Sequence, residues 1–329
     1  MRIEKLAVIG GGAWGTALAQ VAGRGGRETL LWALEDDVVA AINRIHENPI
    51  FLKGLKLSPT IRATSNFSDL AGADAWLVVT PAQHMRAVLQ RSPCPNMPLI
   101  LCSKGIEEGS GKLLHDVASE VCPTSPIAVL SGPTFAHEVA AGLPTAVTLA
   151  CADEAVGAAL RERIAAPCFR IYASDDVVGA EIGGAVKNVL AIACGIVEGK
   201  GLGENARAAL IARGFAEMTR FGVALGARRE TLAGLSGLGD LVLTCSSTSS
   251  RNFSLGKGLG EGRPTTEMLA DRRTVAEGAS TAPVLARCAR ERGIDMPIVD
   301  AVDALLAGRR NVDQMLEELL TRPPRAEGI

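Results

Sequence analysis

The chain has 329 residues, and 47% of them are hydrophobic, so it carries enough apolar material to bury two cores. Its formal net charge of -2 excludes the basic surface that binds nucleic acid or an anionic membrane, and an aromatic content of 3% leaves few rings for base stacking. We therefore expect neither nucleic acid nor a membrane as a partner.

The eight cysteines are scattered along the chain, without a CxxC pair and without grouping with the four histidines. A structural zinc site needs ligands that are grouped in sequence, so we predict no metal site; a site assembled from distant residues is the alternative. We interpret the cysteines as reduced residues of the core.

The first predicted strand is the apolar run from Leu6 to Ile9, which leads directly into three glycines. A secretory signal is the alternative, because Arg2 precedes the run and residues 17–19 resemble a cleavage site. Two features oppose it: Glu4 lies where such a signal is positive, and the glycines would interrupt its apolar helix. We therefore predict a strand and a turn in a cytoplasmic protein.

The sequence GGGAWG at residues 10–15 follows this strand, and we predict a helix from about Thr16. In the pattern GxGxxG, Gly10 permits a tight turn, Gly12 lets the backbone approach a pyrophosphate, and Gly15 lets the helix pack closely against the strand. Between a strand and a helix this pattern predicts a dinucleotide site. A glycine-rich turn without function is the alternative.

The second predicted strand, Thr29 to Ala33, ends at Leu34, Glu35 and Asp36. An acid here hydrogen-bonds the adenosine ribose hydroxyls, and none of residues 31–43 is an arginine or lysine that would receive a 2'-phosphate. The pattern favours NAD(H) over NADP(H). The two acids are equally well explained as solvated residues at the start of a helix.

Short apolar runs alternate with helix-like segments as far as residue 175, which is typical of a parallel sheet with crossover helices. Beyond that point apolar residues recur every three or four positions, as at Ile211, Phe215 and Met218, which predicts helices. We predict an α/β fold with an N-terminal Rossmann-like doubly wound sheet, residues 1–176, and a mostly α-helical C-terminal domain, residues 177–329. The further predicted strands are Ala75 to Val79, Leu99 to Ser103, Ile127 to Leu130 and Ala146 to Ala150.

Two loops that follow predicted strands carry polar groups at the carboxyl edge of the sheet, where open α/β folds bind ligands. Lys104 is placed to bind an anion there, or is an ordinary loop lysine. Residues 131–136, with the sequence SGPTFA, offer a hydroxyl and backbone amides, or form a plain turn at the end of a strand.

Lysine is scarce, with 8 lysines against 26 arginines, and Lys187 lies among small and apolar residues in a predicted helix of residues 181–196. Arginine keeps its proton, whereas burial lowers the pKa of an ammonium towards the range of a general acid or base. Gly183, Ala191 and Gly195 share its helix face and allow a backbone or ligand to approach the amine. The alternative is a lysine that reaches solvent from a packed helix.

Two further segments of the second half carry candidate site residues. Asp240 follows residues 237–239, which predict a flexible turn, and its carboxylate is placed to orient the amine, to bind a hydroxyl, or only to cap a helix. Residues 249–252, with the sequence SSRN, precede a helix-like segment and combine hydroxyls, a guanidinium and an amide in a candidate phosphate site. A charged loop is the alternative.

Together these segments resemble the bacterial NAD(P)-dependent sn-glycerol-3-phosphate dehydrogenase family, and the resemblance spans nearly the whole chain. The shared motifs are GGGAWGTALA (10–19), SKGIE (103–107), SGPTFAHEVAAGLPTA (131–146), EIGGAVKNVLAIACG (181–195), GLGDLVLTCSS (237–247), SSRN (249–252) and VAEG (275–278).

The resemblance implies reversible hydride transfer between a nicotinamide and C2 of dihydroxyacetone phosphate, which gives sn-glycerol 3-phosphate, a phospholipid precursor. Lys187 matches the family's proton acceptor in the oxidation direction. The positions that match substrate contacts are Lys104, Gly132, Thr134, Asp240, Ser250, Arg251 and Asn252. Those that match cofactor contacts, beside Gly10, Gly12 and Gly15 of the glycine turn, are Trp14, Lys104, Ala136, Arg251, Val275 and Glu277.

The resemblance also suggests a mechanism. We expect the substrate phosphate to bind at Arg251 and Asn252 while Lys187 protonates the C2 oxygen and hydride arrives from the nicotinamide, in a cleft between the two halves; oxidation is the reverse. One position departs from the family, because many relatives carry arginine or histidine where this chain has Leu34. That difference puts the use of NADP(H) in doubt.

Two other functions are alternatives. A dehydrogenase of the same fold that acts on another hydroxy acid is one, since a fold does not choose its substrate, and the phosphate site at residues 249–252 opposes it. A non-catalytic NAD-binding redox sensor, in which Lys187 and Asp240 are idle, is the other. The residues do not fix the oligomeric state, for which a homodimer is one option.

Overall fold

The computed structural model describes residues 3–24, 26–91, 96–270 and 276–322, and these form two compact units. The first unit takes in residues 1–103 and 114–177, and the second takes in residues 104–113 and 178–329. The predicted division into residues 1–176 and 177–329 differs from these units in the segment 104–113. That segment lies in the second unit because Ile106 and Leu113 belong to its hydrophobic core.

The first unit is built on an eight-stranded sheet with the order β3-β2-β1-β4-β5-β6-β7-β8. Neighbouring strands are parallel except β6 and β7, which are antiparallel. The strands are β1 (Leu6–Ile9), β2 (Thr29–Trp32), β3 (Ile61–Thr64), β4 (Ala75–Val78), β5 (Leu99–Leu101), β6 (Ile127–Ser131), β7 (Thr145–Cys151) and β8 (Phe169–Ser174).

Helices of the first unit connect these strands, and its apolar side chains form one core cluster. All four residues of β1 and of β4 are buried, as expected of central parallel strands that are covered on both faces. The helices are α1 (Ala13–Gly23), α2 (Asp36–Ile45), α3 (Met85–Leu89), α4 (Leu114–Val121), α5 (Ala136–Ala141) and α6 (Glu154–Ile164). The predicted Rossmann-like sheet is thereby confirmed.

The structure corrects the predicted sheet in three respects. First, β7 runs antiparallel to β6, whereas the sequence predicted a parallel sheet. Second, the sequence analysis missed β3 and β8, the two edge strands, which are only partly buried. Third, α1 begins at Ala13 rather than at Thr16.

The described part of the second unit contains helices and no strand, as predicted. Its helices are α7 (Val177–Gly199), α8 (Glu204–Ala224), α9 (Arg229–Leu232), α10 (Asp240–Thr244), α11 (Arg251–Gly260), α12 (Thr265–Met268), α13 (Glu277–Glu291), α14 (Pro297–Leu306) and α15 (Val312–Leu320). By length and composition α7 is apolar enough to cross a membrane, but its most apolar stretch is wholly buried inside the protein. It is therefore the central core helix of this unit.

Glycines allow the backbones of α7 and α11 to touch. A methyl group on Gly195 of α7 would lie 2.1 Å from the carbonyl oxygen of Phe253, and one on Gly256 of α11 would lie 2.0 Å from that of Ile192. Neither position tolerates a side chain without displacing a helix. The prediction that the small face of α7 lets another backbone come close is confirmed.

Candidate active site

The glycine turn after β1 has the geometry that a dinucleotide requires. Gly10 has φ +125, and a Cβ there would lie 2.8 Å from the carbonyl oxygen of Val79. A Cβ on Gly15 would lie 1.8 Å from the carbonyl oxygen of Gly10, so α1 packs against the turn only without a side chain. A Cβ on Gly12 meets nothing within 4 Å, which leaves open space at the N-terminus of α1. The turn therefore fits a pyrophosphate.

This turn lies where ligands bind in open parallel sheets. The chain runs outward from β1 to β2 and β3 and then starts again on the other side of β1 with β4. Gly10 and Val79 follow β1 and β4 and touch each other at the carboxyl ends of these two strands. That is the topological switch point of the sheet, the expected position of a dinucleotide.

Two alanine substitutions distinguish the glycine that leaves space for the cofactor, Gly12, from the glycine that allows close packing, Gly15. We expect Gly12→Ala to fold normally but to raise the Kd for NADH at least about tenfold, because the methyl group takes the space of the pyrophosphate. Gly15→Ala should lower the melting temperature as well, because its Cβ overlaps a carbonyl oxygen. Thermal melting and fluorescence titration with NADH measure both effects. Wild-type binding by Gly12→Ala would contradict the assignment.

The other predicted cofactor and substrate positions of the first unit lie in turns at helix starts. Trp14 is in the first turn of α1, and its ring nitrogen is buried without a hydrogen-bond partner in the described part of the chain. Gly132 follows β6, and a Cβ there would lie 2.9 Å from the Cα atom of Val147. Thr134 donates to the carbonyl oxygen of Gly132 at 3.3 Å, and Ala136 begins α5.

The acids after β2 lie at the start of α2, so the structure is compatible with both explanations offered for them. Glu35 is the N-cap residue, but its side chain accepts no capping hydrogen bond, and Asp36 is the first helical residue. Leu34 before them is 69% exposed. Glu35 and Asp36 are thus placed at the carboxyl end of β2, next to β1, where ribose hydroxyls are bound in this type of sheet.

In the second unit, Asp240 binds the amines of two lysines. Lys187 Nζ donates to Asp240 Oδ1 at 2.8 Å and to the hydroxyl of Thr244 at 2.8 Å, while Lys104 Nζ donates to Asp240 Oδ2 at 2.6 Å. Thr244 in turn donates to Asp240 Oδ1 at 3.2 Å. The side chain of Asp240 is fully buried, and that of Lys187 is 8% exposed. The amine at position 187 does not reach bulk solvent.

Burial changes the proton affinity of this amine. Desolvation lowers the pKa of Lys187 from 10.5 to about 8, the charge of Asp240 opposes that change, and the charge of Lys104 adds to it. Burial alone would raise the pKa of Asp240, but the positive charges of Lys104 and Lys187 outweigh it and hold that pKa below its usual value. The carboxylate is therefore ionised at neutral pH, beside an amine whose pKa lies close to the neutral range.

Close backbone packing positions Asp240. Residues 237–239 do not form the predicted flexible turn, because Leu235–Gly239 is a turn of π-helix that leads directly into α10. A Cβ on Gly237 would lie 1.9 Å from the carbonyl oxygen of Leu232, and one on Gly183 of α7 would lie 2.2 Å from that of Ser236. Glycine is thus needed here for tight packing rather than for flexibility. Asp240 is the first residue of α10 and is not its N-cap.

The predicted phosphate segment forms the start of α11. Ser250 is the N-cap and accepts a hydrogen bond from the amide of Phe253, and Arg251 is the first helical residue, with an exposed side chain. Asn252 is buried and holds helices together, since it donates to Asn188 at 2.9 Å and accepts from the amide of Gly278 at 2.9 Å. Among the described residues, its second N–H and the guanidinium of Arg251 have no hydrogen-bond acceptor, so both are available to a phosphate.

Models of one protein family match both halves of the chain. The model described as NAD-dependent glycerol-3-phosphate dehydrogenase N-terminus matches residues 5–157, and the corresponding C-terminus model matches residues 176–317. The chain belongs to this family. The family, the oxidoreductase class, the interconversion of dihydroxyacetone phosphate and sn-glycerol 3-phosphate, and the use of NAD(P) that the sequence predicted are thereby confirmed.

Individual members of the glycerol-3-phosphate dehydrogenase family are similar along their full lengths. The glycerol-3-phosphate dehydrogenase [NAD(P)+] of Erythrobacter litoralis is 64% identical over 98% of this chain and 98% of its own. The crystal structure of glycerol-3-phosphate dehydrogenase from Coxiella burnetii has a TM-score of 0.92 at 38% identity, and the match covers 97% of this chain and 99% of that one. A D-mandelate dehydrogenase bound to NADH, with 16% identity and a TM-score of 0.61, shares the fold alone.

Three predicted residues of this dehydrogenase remain to be placed, and two of them begin a segment or a helix. Lys104 stands at the start of segment 104–113, and Arg287 of α13 donates to the carbonyl oxygen of Glu108 at 2.9 Å, which ties that segment to the second unit. Glu277 begins α13, and its carbonyl oxygen accepts from the hydroxyl of Thr281. Val275 lies outside the described residues.

Sequence reasoning missed two residues that contact the predicted ones. Thr244 accepts from Lys187, and Asn188 accepts from Asn252. Their positions carried a signal: Thr244 follows Asp240 by four residues and so shares its helix face, and Asn188 is adjacent to Lys187. Single polar side chains of this kind are common at helix surfaces, so spacing alone did not distinguish them.

Proposed function

We propose that this chain interconverts dihydroxyacetone phosphate and sn-glycerol 3-phosphate with NAD(P)H, and that Lys187 exchanges the proton at the C2 oxygen. The observation that carries the residue assignment is the buried amine of Lys187, held by Asp240 and Thr244. An ammonium has three N–H donors, and these two residues use two of them. The third is available to a substrate oxygen.

The proton affinity of Lys187 suits both directions of the reaction. With a pKa of about 8, the amine is mostly protonated at neutral pH and donates to the C2 oxygen as the ketone is reduced. For oxidation its neutral form accepts the proton of the C2 hydroxyl. An ammonium in a buried site stabilises the developing alkoxide more strongly than the neutral ketone, which accelerates the chemical step.

The first unit is assigned to the dinucleotide, which supplies or takes up the hydride at C2 when it is bound. Gly10, Gly12 and Gly15 would hold its pyrophosphate against the N-terminus of α1, since the first amides of a helix have no intrahelical acceptor. Trp14 and Ala136 are the further contacts proposed in this unit. Glu277 and Val275 are those proposed in the second, together with Lys104 and Arg251.

The proposed substrate contacts are polar groups. The phosphate would bind at the N-terminus of α11, where Ser250, Arg251 and Asn252 combine a helix dipole with a guanidinium fork and an amide. Lys104, whose ammonium lies 2.6 Å from Asp240, adds a positive charge beside the reacting amine. Gly132, Thr134 and Asp240 are the remaining proposed substrate contacts.

One assay distinguishes this function from the two alternatives. Absorbance at the nicotinamide band is followed with NADH and with NADPH, using dihydroxyacetone phosphate and a panel of 2-oxo acids as substrates. We expect the reduced nicotinamide to be oxidised rapidly with dihydroxyacetone phosphate and not with the 2-oxo acids. Preference for another carbonyl substrate would favour a different dehydrogenase of this fold, and no oxidation with any substrate would favour the NAD-binding sensor.

We also propose that NAD(H) is preferred over NADP(H). Leu34, Glu35 and Asp36 at the end of β2 present a carboxylate to ribose hydroxyls and no positive charge to a 2'-phosphate. Leu34→Arg should increase kcat/KM with NADPH about tenfold or more and change the value with NADH little, because the exposed side chain is free to reach a phosphate. Unchanged NADPH kinetics would reject Leu34 as the determinant.

The cellular setting is proposed from the family and the composition. A cytoplasmic enzyme that supplies glycerol 3-phosphate for phospholipid synthesis fits the seven described cysteines, all of which are free thiols. A homodimer is the proposed assembly, and light scattering of the purified protein tests it.

A further inference from the structure

Asn48 is a fully buried polar residue that contacts the glycine turn. It lies shortly after α2 and has an exposed fraction of 0%. Its Nδ2 donates to the carbonyl oxygen of Gly11 at 2.8 Å and to the hydroxyl of Thr16 at 2.8 Å. Its Oδ1 accepts from the amide of Phe51 at 3.1 Å, so the orientation of the side-chain amide is fixed.

Thr16 forms the second part of this contact. Its hydroxyl donates to the same carbonyl oxygen of Gly11 at 3.2 Å, and its amide donates to the carbonyl oxygen of Gly12 at 2.9 Å. Two side-chain donors therefore converge on the oxygen of one peptide group of the turn. Buried polar groups that are satisfied in this way restrict the backbone to one arrangement.

The orientation of this peptide has a direct consequence for the neighbouring amide. In a trans peptide, the C=O of Gly11 and the N–H of Gly12 point in opposite directions, and no described peptide bond is cis. With the oxygen held inward by Asn48 and Thr16, the N–H of Gly12 points away from them. Gly12 is the position at which a Cβ meets nothing within 4 Å.

We propose that Asn48 is a positioning residue for the dinucleotide: with Thr16 it fixes the Gly11–Gly12 peptide so that the N–H of Gly12 donates to the pyrophosphate. Glycine at positions 10 to 12 leaves this peptide free to rotate, and rotation would present a carbonyl oxygen to the phosphates instead. The proposal rests on the proposed assignment of the dinucleotide to this glycine turn. It means that a residue of the loop after α2, outside the GxGxxG motif, contributes to the affinity for the cofactor.

The test replaces the donor and keeps the acceptor. Asn48→Asp retains an oxygen for the amide of Phe51 but places a carboxylate against the carbonyl oxygen of Gly11. We expect the Kd for NADH, measured by fluorescence titration without substrate, to rise about tenfold or more, and KM for NADH to rise while kcat at saturating NADH stays near wild type. ADP-ribose, which carries the pyrophosphate but no nicotinamide, should lose affinity by the same factor.

The matched control is Asn43→Asp. Asn43, which is exposed where Asn48 is buried, donates to the carbonyl oxygen of Ala63 in β3 and accepts from its amide, at 2.9 Å each, but does not contact the glycine turn. The substitution Asn43→Asp should change the Kd for NADH less than twofold, even if it lowers the melting temperature. A second pair of variants introduces no charge. Thr16→Val removes the hydroxyl and should weaken NADH binding, whereas Thr16→Ser keeps the hydroxyl and should bind NADH like the wild type.

Three results would overturn the proposal. They are an unchanged Kd in Asn48→Asp with a normal melting temperature, an equal loss in Asn43→Asp, and a loss for NADH that is absent for ADP-ribose. Failure of the proposed function is distinguishable, because a wild-type protein that binds NADH but does not reduce dihydroxyacetone phosphate still allows every binding measurement. A wild-type protein that binds neither ligand contradicts both proposals.

Discussion

Replacing Lys187 with alanine should lower kcat in both directions by a factor of about 10² to 10⁴, the range that a positioned general acid or base contributes. The Kd for NADH should stay within about twofold, because none of the proposed dinucleotide contacts involves this side chain. Stopped-flow or steady-state kinetics with dihydroxyacetone phosphate, combined with fluorescence titration of NADH, measure the two quantities on the same preparation.

A surface lysine of the same unit is the control for this substitution. Lys257 of α11 has a side chain that is 38% exposed and lies 3.9 Å from Glu261, a pair that contributes little to stability. Lys257→Ala should leave kcat and KM unchanged. Turnover near wild type in Lys187→Ala would show that this amine does not exchange the proton at C2.

Replacing Asp240 with asparagine should destabilise the second unit by about 3 to 5 kcal/mol, because two ammonium groups then lose the buried carboxylate that they share. Differential scanning calorimetry measures the change. Asp300→Asn is the control, since Asp300 is paired with Arg290 where both side chains are about half exposed, and a solvent-exposed pair contributes about 0 to 1 kcal/mol. Equal shifts in the two variants would contradict the buried arrangement.

The same substitution should move the pH profile. Reduction requires the ammonium form of Lys187, so its rate should fall as the pH rises through about 8, and oxidation requires the neutral amine, so its rate should rise over the same range. Asp240 raises the pKa of Lys187 in the wild type. Both limbs should therefore move to lower pH in Asp240→Asn, and a shift to higher pH would reject the assignment.

The pKa of Lys187 also has a consequence for stability. Its folded value of about 8 lies below the unfolded value of 10.5, so the unfolded chain binds more protons between these two values. The free-energy cost of burying the charged form is fully present below about pH 8 and disappears as the pH rises towards 10.5. This contribution of Lys187 to the free energy of unfolding should therefore increase with pH in that window, which lies well above the pH range in which carboxylates titrate.

The sequence predicted the features of the fold that depend on local chemistry. Gly10, Gly12 and Gly15 were each assigned a different role, and the three positions differ in the structure as those roles require. The central strands were recognisable because strands buried on both faces are continuous apolar runs. Lysine is scarce in this chain, and most basic positions are arginine. Because arginine keeps its proton and lysine can lose it, a lysine among apolar residues, such as Lys187, was a candidate acid or base.

Features that depend on distant packing were not predictable from local patterns. The edge strands β3 and β8 bury only part of their side chains, and Arg62 in β3 is exposed, so neither is an apolar run. The π-helical turn before Asp240 packs against Gly183, which lies more than 50 residues earlier in the chain. Asn48 escaped notice because its partner Gly11 is 37 residues away in the chain.

Lys104 gives the clearest case of this limit. It lies three residues after the end of β5, and this position near the end of a strand suggested a residue of the sheet unit. The ammonium is nevertheless bound to Asp240, and the ten residues that begin with Lys104 pack in the helical unit. Sequence order indicates which strand a residue follows, but the hydrophobic partners of Ile106 and Leu113 decide where the segment folds.

The excursion of residues 104–113 means that the two units are interleaved along the polypeptide. A C-terminal fragment that began after residue 177 would lack Ile106 and Leu113 of its hydrophobic core. It would also lack Lys104, which is paired with Asp240. A single genetic crossover near residue 177 between related enzymes would therefore combine the helices of one parent with the segment 104–113 of the other. To exchange the helical unit together with all of its own core residues, two further crossovers are needed, one on each side of residues 104–113.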